Sequence, residues 1–199
     1  TLRAQVDYAL REPDSVRARQ ALQALSGALD NAVRATNQLL ALARSDAAAV
    51  QPEPCDAAEL ARETALALLP EARARGIDLG VDAPAESCPT GGDRALLGQA
   101  LANLLHNAIH HGRAQGVVTV QVAADTQGCS LAVLDDGPGV DEALLPSLGQ
   151  RFAKGRGSSG SGLGLAIAGS VMARHGGRLR VQARDDGAGL KAVLWWPHP

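Results

Sequence analysis

The chain has 199 residues, of which 46% are hydrophobic, and a formal net charge of −2, enough apolar material for one sizeable domain plus a smaller element. Near-neutral charge, with no Lys/Arg stripe interleaved with aromatics, excludes the electrostatic footprint of a nucleic-acid-binding protein. No signal peptide is visible, and no apolar run approaches the ~20 residues that cross a bilayer, so the chain as given reads as soluble. The aromatics are Tyr8, Phe152, Trp195 and Trp196, so the core is expected to be packed from Leu, Val, Ile and Ala. Cys55, Cys88 and Cys129 are odd in number, widely spaced and free of any C-x-x-C, and read as reduced thiols.

Residues 1–46, rich in Ala, Leu, Gln and Arg, predict two helices broken at Glu12-Pro13-Asp14-Ser15, where Pro13 ends one helix and Asp14 or Ser15 caps the next. In the second arm Leu22, Leu25, Leu29, Ala32 or Val33, Thr36, Leu40 and Ala43 recur at three- and four-residue steps, the seam of a helix that packs on other helices. Such a hairpin cannot bury both faces alone, so it is expected to dimerise into a four-helix bundle or to dock on the next domain. Residues 47–56 read as an Ala/Pro linker, and residues 57–199 as an α/β domain. Within that domain the pattern predicts helices over Ala57–Arg75, stopped by Gly76, over Asp93–His111 and over Gly164–His175. Strands are predicted over Ile77–Val81, Val117–Ala124, Leu131–Leu134, Arg178–Gln182 and Leu190–Trp196.

Chemistry-bearing patterns fall between these elements. On the helix over Asp93–His111, Asn103 and Asn107 stand four apart, so both amides project from one face and offer oxygens to a hard cation and N–H donors to phosphates. The strand ending at Leu134 runs into Asp135-Asp136-Gly137-Pro138-Gly139-Val140, a strand-end carboxylate followed by glycines that let a flat ligand approach; a tight turn is the plainer reading of the same residues. Gly155 to Gly164 holds five glycines in ten residues and opens an apolar helix, whose first N–H groups suit phosphate. It has neither the Lys-Ser/Thr ending of a P-loop nor the βαβ setting of a dinucleotide fold.

The order of the three patterns resembles that of the Bergerat-type ATP-binding fold, shared by histidine kinases, type II topoisomerases, heat-shock chaperones of the ninety-kilodalton class and mismatch-repair ATPases. Asn103-Leu104-Leu105-His106-Asn107-Ala108 resembles its N-box, Asp135 to Val140 its first glycine box, and Gly160-Ser161-Gly162-Leu163-Gly164-Leu165 its second. Arg151-Phe152-Ala153-Lys154-Gly155 is similar to the phenylalanine box of the histidine-kinase lid. The resemblance covers roughly residues 57 to 197. It implies a two-layer α/β sandwich, of α+β class, with a mixed sheet and helices on one face, preceded by the helical hairpin. ATP-hydrolysing branches carry a Glu where this chain has Asn103, and an amide cannot act as general base at neutral pH. With the hairpin, that points to the sensor histidine kinases of two-component systems.

Carried over position by position, the resemblance implies that Asn107 ligates Mg²⁺ with Asn103 in support, that Asp135 accepts from the adenine amine, and that Gly137, Gly139 and Val140 admit the ring. Lys154, with Arg151 or Arg156, would reach the γ-phosphate from a lid anchored by Phe152. Backbone groups around Gly160, Gly162, Leu163, Gly164 and Leu165 would hold the phosphates. His110 and His111 take the positions where the family often has a Lys able to touch phosphate and an aromatic, so the resemblance implies that both line the nucleotide site; two solvent-facing histidines are the plainer reading. Asn103, Asn107 and Lys154 are the expected catalytic set. The family's phosphoacceptor is a His followed by an acidic residue on the first hairpin helix. None of His106, His110, His111, His175 and His198 fits, so the chain reads as a fragment with its acceptor just upstream of Thr1, not expected to autophosphorylate. The resemblance further implies ATP and Mg²⁺ as cofactors, a response-regulator receiver domain as partner and a homodimer through the hairpin. It also implies that the chain is the cytoplasmic portion of a bacterial inner-membrane sensor, attached to the membrane only through upstream segments. A non-catalytic interaction module and a Bergerat ATPase are the alternatives.

Overall fold

The computed structural model describes residues 16–22, 25, 50, 52–84, 88–140, 148, 163–184 and 187–198. The chain divides into two units, Thr1–Ala43 and Arg44–Pro199. In the first, residues 16–22 and 25 are helical; the remainder of the predicted hairpin lies outside the described residues. No helix among the described residues is long and apolar enough to cross a membrane.

The second unit is the α/β domain. Its elements run β1 (Glu53–Asp56), α1 (Ala57–Ala74), β2 (Asp78–Asp82), β3 (Pro89–Gly92), α2 (Arg94–His111), β4 (Val117–Ala124), β5 (Gly128–Asp135), α3 (Gly164–Arg174), β6 (Arg178–Ala183) and β7 (Leu190–Pro197). Five strands form a mixed sheet in the order β2-β4-β5-β7-β6. β2 is parallel to β4, and the other neighbours are antiparallel. The end of the stretch read as linker, Glu53–Asp56, is instead a strand, paired antiparallel with β3 in a small second sheet. Both strands are four residues long and carry Pro or Gly, so neither has the apolar alternation by which a strand is recognised in sequence.

Alternation in the central strands decides which face is covered. Val118, Val120 and Val122 of β4 stand in register with Asp135, Val133 and Leu131 of β5, and Leu131 and Cys129 with Leu194 and Trp196 of β7. Because side chains of paired residues share a face, these form one apolar row across the sheet. The helices close over it: α1 packs on β2 and β4, α2 on β5, α3 on β6 and β7, with α2 between the other two. α2 supplies the buried Leu97, Leu101, Leu104, Leu105 and Ile109, and α3 supplies Ile167, Val171 and Met172. Trp196 is also fully buried, so the core is not purely aliphatic; its indole N–H donates to Thr90 Oγ1 at 2.9 Å, which ties the small sheet to the large one. The three cysteines are buried free thiols, and Cys88 and Cys129, far apart in sequence, bring their sulfurs to 4.0 Å. Burial pushes the Cys129 thiol far above its ordinary range, so it stays protonated.

The helix ends are set by named residues. α1 stops in a left-handed Gly76 (φ 68°), with Ile77 N–H donating to Ala72 O at 2.9 Å. Gly176 (φ 66°) ends α3 the same way, with Gly177 N–H donating to Met172 O. Asp93 caps α2 through Leu96 N–H. Asp56 does more: Oδ1 accepts from Ala58 and Glu59 N–H at 2.8 and 3.0 Å, and Oδ2 accepts from Cys88 N–H at 3.2 Å. One carboxylate thus starts α1 and fixes the approach to β3. Asp56→Ala is expected to destabilise the domain by about 1–2 kcal/mol in urea unfolding; an unchanged midpoint would show that the cap is dispensable.

Candidate functional site

Asn103 and Asn107 project from the middle of α2. Asn103 is only 6% exposed, whereas Asn107 is half-buried. α3 begins against Asn107: a methyl group placed on Gly164 would lie 3.3 Å from Asn107 Nδ2 and 3.4 Å from its Oδ1. The absent side chain at Gly164 lets the helix start seat directly on the carboxamide. α3 also differs from α1 and α2 in its cap. Those helices carry Asp56 and Asp93, while Leu163 at the start of α3 is buried and supplies no capping side chain. A helix N-terminus that carries no acidic cap favours an anion.

Asp135 is the last residue of β5. In the alternation it follows Leu131 and Val133, so its side chain falls on the helix-covered face rather than in solvent. There it meets the C-terminal end of α2, where a methyl group on Gly112 would be 3.8 Å from Asp135 Cβ. Burial raises the Asp135 carboxyl above the ordinary carboxylate range, assisted by the neighbouring Asp136 charge and opposed by hydrogen bonds from Gly137 and Leu190 N–H and by the Arg184 charge. The Gly137 N–H donates to Oδ1 at 2.9 Å. Gly139 takes a left-handed backbone (φ 72°), and Val140 continues the loop.

Asp136, next in the motif, has a different task. Its Oδ1 accepts from Val117 N–H at 2.9 Å and so fixes the start of β4 to the end of β5. The two adjacent aspartates thus divide between a desolvated carboxyl facing α2 and a bond within the sheet.

Sequence reasoning missed the β6–β7 connection as a part of this site. Arg184 Nη1 donates to Asp135 O at 3.1 Å, Leu190 N–H reaches the Asp135 carboxylate, and a methyl group on Gly189 (φ 122°) would fall 1.9 Å from Asp135 O. The glycines at 187 and 189 are legible as a turn, but nothing local in that stretch points to a contact some fifty residues earlier in the chain.

The two histidines at the end of α2 part company. His111 lies within electrostatic reach of Arg75 and Asp135; desolvation and then the Arg75 charge push its imidazole below the ordinary value, against the pull of Asp135. His110 reaches across to α1, where its Nε2 stands 2.5 Å from Glu71 Oε1, and Arg75 Nη2 donates to its carbonyl at 3.3 Å. His175 is a structural residue: Nε2 accepts from Asp93 N–H at 3.0 Å, and Nδ1 donates to Val171 O. Arg151, Phe152, Lys154, Arg156, Gly160 and Gly162 lie outside the described residues. Among the predicted site residues that are described, Asn107, Leu163 and Gly164 meet at one side of α2, and Asp135 and Gly137 meet the same helix at its C-terminal end.

Residues 92–199 match the model of the histidine kinase-, DNA gyrase B-, and HSP90-like ATPase family. Sensor protein QseC of Escherichia coli K12 is 31% identical over 202 residues, covering 98% of this chain but 43% of its own length. The chain therefore spans less than half of the curated relatives it matches. Among solved structures, the mycobacterial sensor histidine kinase MprB superposes with a TM-score of 0.64 at 30% identity, covering 73% of this chain and 98% of its own. The histidine kinase ThkA, solved in complex with the response regulator protein TrrA, shares the fold over 98% of this chain and 55% of its own, with a TM-score of 0.78 at 19% identity. The chain belongs to the histidine kinase-, DNA gyrase B- and HSP90-like ATPase family, and within it is the ATP-binding catalytic region of a sensor histidine kinase.

Proposed function

We propose that the chain binds Mg-ATP around α2 and, in its full-length parent, delivers the γ-phosphoryl group to a histidine and thence to an aspartate of a response-regulator receiver domain. The observation that carries the reading is the convergence on one helix. Gly164 seats the start of α3 on Asn107, and Asp135 is held against Gly112 at the C-terminal end of the same helix.

In this reading the start of α3, from Leu163 and Gly164 to Leu165, takes the phosphates by its N–H groups and dipole. The Asp135 carboxylate accepts from the adenine amine, and Gly137 and Gly139 leave room for the ring. Neutral amide oxygens suit a hard cation, so Asn107 would hold Mg²⁺. The buried Asn103 would brace it one turn away, and the ion would offset phosphate charge. Lys154 and Arg151 act on the γ-phosphate from the lid, with Phe152 as its anchor. Asn103 offers no base for activating water, which favours transfer over hydrolysis. A purified chain supplied with Mg-ATP and an acceptor-bearing helical hairpin is expected to yield acid-labile phosphate on the hairpin. Multiple-turnover phosphate release without it would identify an ATPase instead.

Asn107→Ala is expected to lower Mg-dependent ATP affinity at least about tenfold, read by calorimetric titration with and without Mg²⁺; parent-like affinity would remove Asn107 from the site.

Asp135→Asn separates binding from stability. Losing a charge-assisted hydrogen bond is expected to cost about 1–3 kcal/mol of ATP affinity. An acid whose pKa is raised by folding stabilises the fold below its ordinary value, near 3.9, and loses that contribution as pH rises through the folded value. Ionised Asp135 therefore weakens the empty domain at neutral pH. The variant should melt higher than the parent at pH 7 without nucleotide, by a margin that shrinks as pH falls toward about 4. A variant that melts lower at pH 7 would contradict the assigned burial.

Gly189→Ala tests the support from the β6–β7 connection. The added methyl must displace the Asp135 carbonyl and strain a positive φ, so ATP affinity is expected to fall at least about tenfold although residue 189 touches no nucleotide in this reading. Unaltered affinity would detach that connection from the site.

A further inference from the structure

Apart from the nucleotide site, the described residues contain one cluster of metal-ligating side chains at bonding range. His106 and His110 stand one turn apart on α2, with ring centroids 6.3 Å apart and planes inclined by 29°. Glu71, near the end of α1, reaches both: Oε1 lies 2.5 Å from His110 Nε2, and Oε2 lies 3.1 Å from His106 Nδ1. One ligand atom from each residue lies within 4.8 Å of the others.

The three side chains are 28–32% exposed, open enough for an ion to enter and covered enough to hold their rotamers. The donors come from two helices packed against each other, and Arg75 Nη2 bonds the His110 carbonyl, fixing the end of α1 to the end of α2. Two imidazoles and a carboxylate form a set suited to a borderline divalent ion, which binds them at about 2.0–2.2 Å in a tetrahedron that leaves one position for water. In such a tetrahedron the ligand atoms sit roughly 3.4 Å apart, so the three donors, already within 4.8 Å of one another, have little distance to close. Mg²⁺, which prefers oxygen ligands, is a poor match for this set.

We infer that Glu71, His106 and His110 form a binding site for a divalent transition-metal ion of the zinc type, bridging α1 and α2 beside the nucleotide site and distinct from it. His110, expected from its motif position at the nucleotide, is turned onto Glu71 of α1 instead, and Glu71 and His106 have no part in the ATP-binding reading. Its ion would link two helices that are otherwise joined by apolar packing and exposed ion pairs.

The test uses the full 199-residue chain with zinc sulfate in a chelator-buffered titration, in the presence of excess Mg²⁺. One equivalent is expected to bind, with a rise in melting temperature that grows with free zinc. His106→Ala and Glu71→Gln should each lower zinc affinity at least tenfold while leaving Mg-ATP affinity unchanged, which shows that the variants fold. Cobalt(II) substitution should give a tetrahedral d–d spectrum without thiolate charge-transfer bands. Zinc affinity unchanged in both variants, or cobalt spectra dominated by thiolate, would overturn the assignment. So would zinc that binds no tighter than Mg²⁺.

Discussion

The approach of α3 to α2 at Gly164 is the contact on which the site geometry depends. A side chain there would press on the Asn107 carboxamide at 3.3–3.4 Å, closer than carbon and nitrogen pack at ease. With glycine, the first turn of α3 sits on Asn107 directly, and the distance between the two helices is set by an amide rather than by a larger side chain. The glycine that opens the helix and the asparagine it meets are far apart in sequence. The fold joins them because α2, on β5 and β7, and α3, on β6 and β7, lie side by side on the same face of the sheet.

The second constraint is electrostatic. Asp135 ends a strand on whose covered face Cys129, Leu131 and Val133 precede it, so strict alternation delivers a carboxylate to the edge of the core. Burial there raises its pKa, and Gly137 N–H, Leu190 N–H and Arg184 offset part of the cost. Desolvation that destabilises the empty domain also strengthens a hydrogen bond from a ligand donor, because the carboxylate has less water to give up. The supports come from two sides: Gly137 N–H on Oδ1, and from the β6–β7 connection Leu190 N–H on the carboxylate and Arg184 on the main-chain oxygen. Asp136, next to Asp135, is placed differently. Its Oδ1 is spent on Val117 N–H within the sheet.

Much of the fold was legible because the long elements are strongly periodic. α1, α2 and β4 have the limits expected from the sequence to within a residue, and Gly76 stops α1 through the left-handed turn expected of it. β5 is longer than the run Leu131–Leu134, because Gly128, Cys129 and Ser130 join it opposite Trp195 to Pro197, a partner that local pattern cannot reveal. β1 and β3 escaped for the same reason: Pro, Thr and Gly form a strand there only because the Asp56 carboxylate and Trp196 hold them in place. In the site, residue types and spacing single out Asn107, Asp135 and Gly164, and the fold seats Gly164 on Asn107 and brings Asp135 to the end of the same helix. Arg184, Gly189 and Glu71 were invisible, because each acts through a contact made across the fold rather than along the chain.

α2 explains why these pieces coexist. An apolar stripe running from Leu97 to Ile109 fixes its rotation on the sheet, and rotation about the axis then sorts the polar residues of its second half. Successive residues are about 100° apart, so Asn107 and His111 fall toward α3 and Asp135, while His106 falls toward α1. His110 lies between these directions, and the structure resolves the ambiguity through Glu71, which draws its imidazole onto α1. Burial alone would raise the Glu71 carboxyl, yet the two histidines outweigh it and hold the group below its ordinary value. Glu71 therefore remains charged at neutral pH, and the placement of His110 rests on that charge as much as on the packing of the helix.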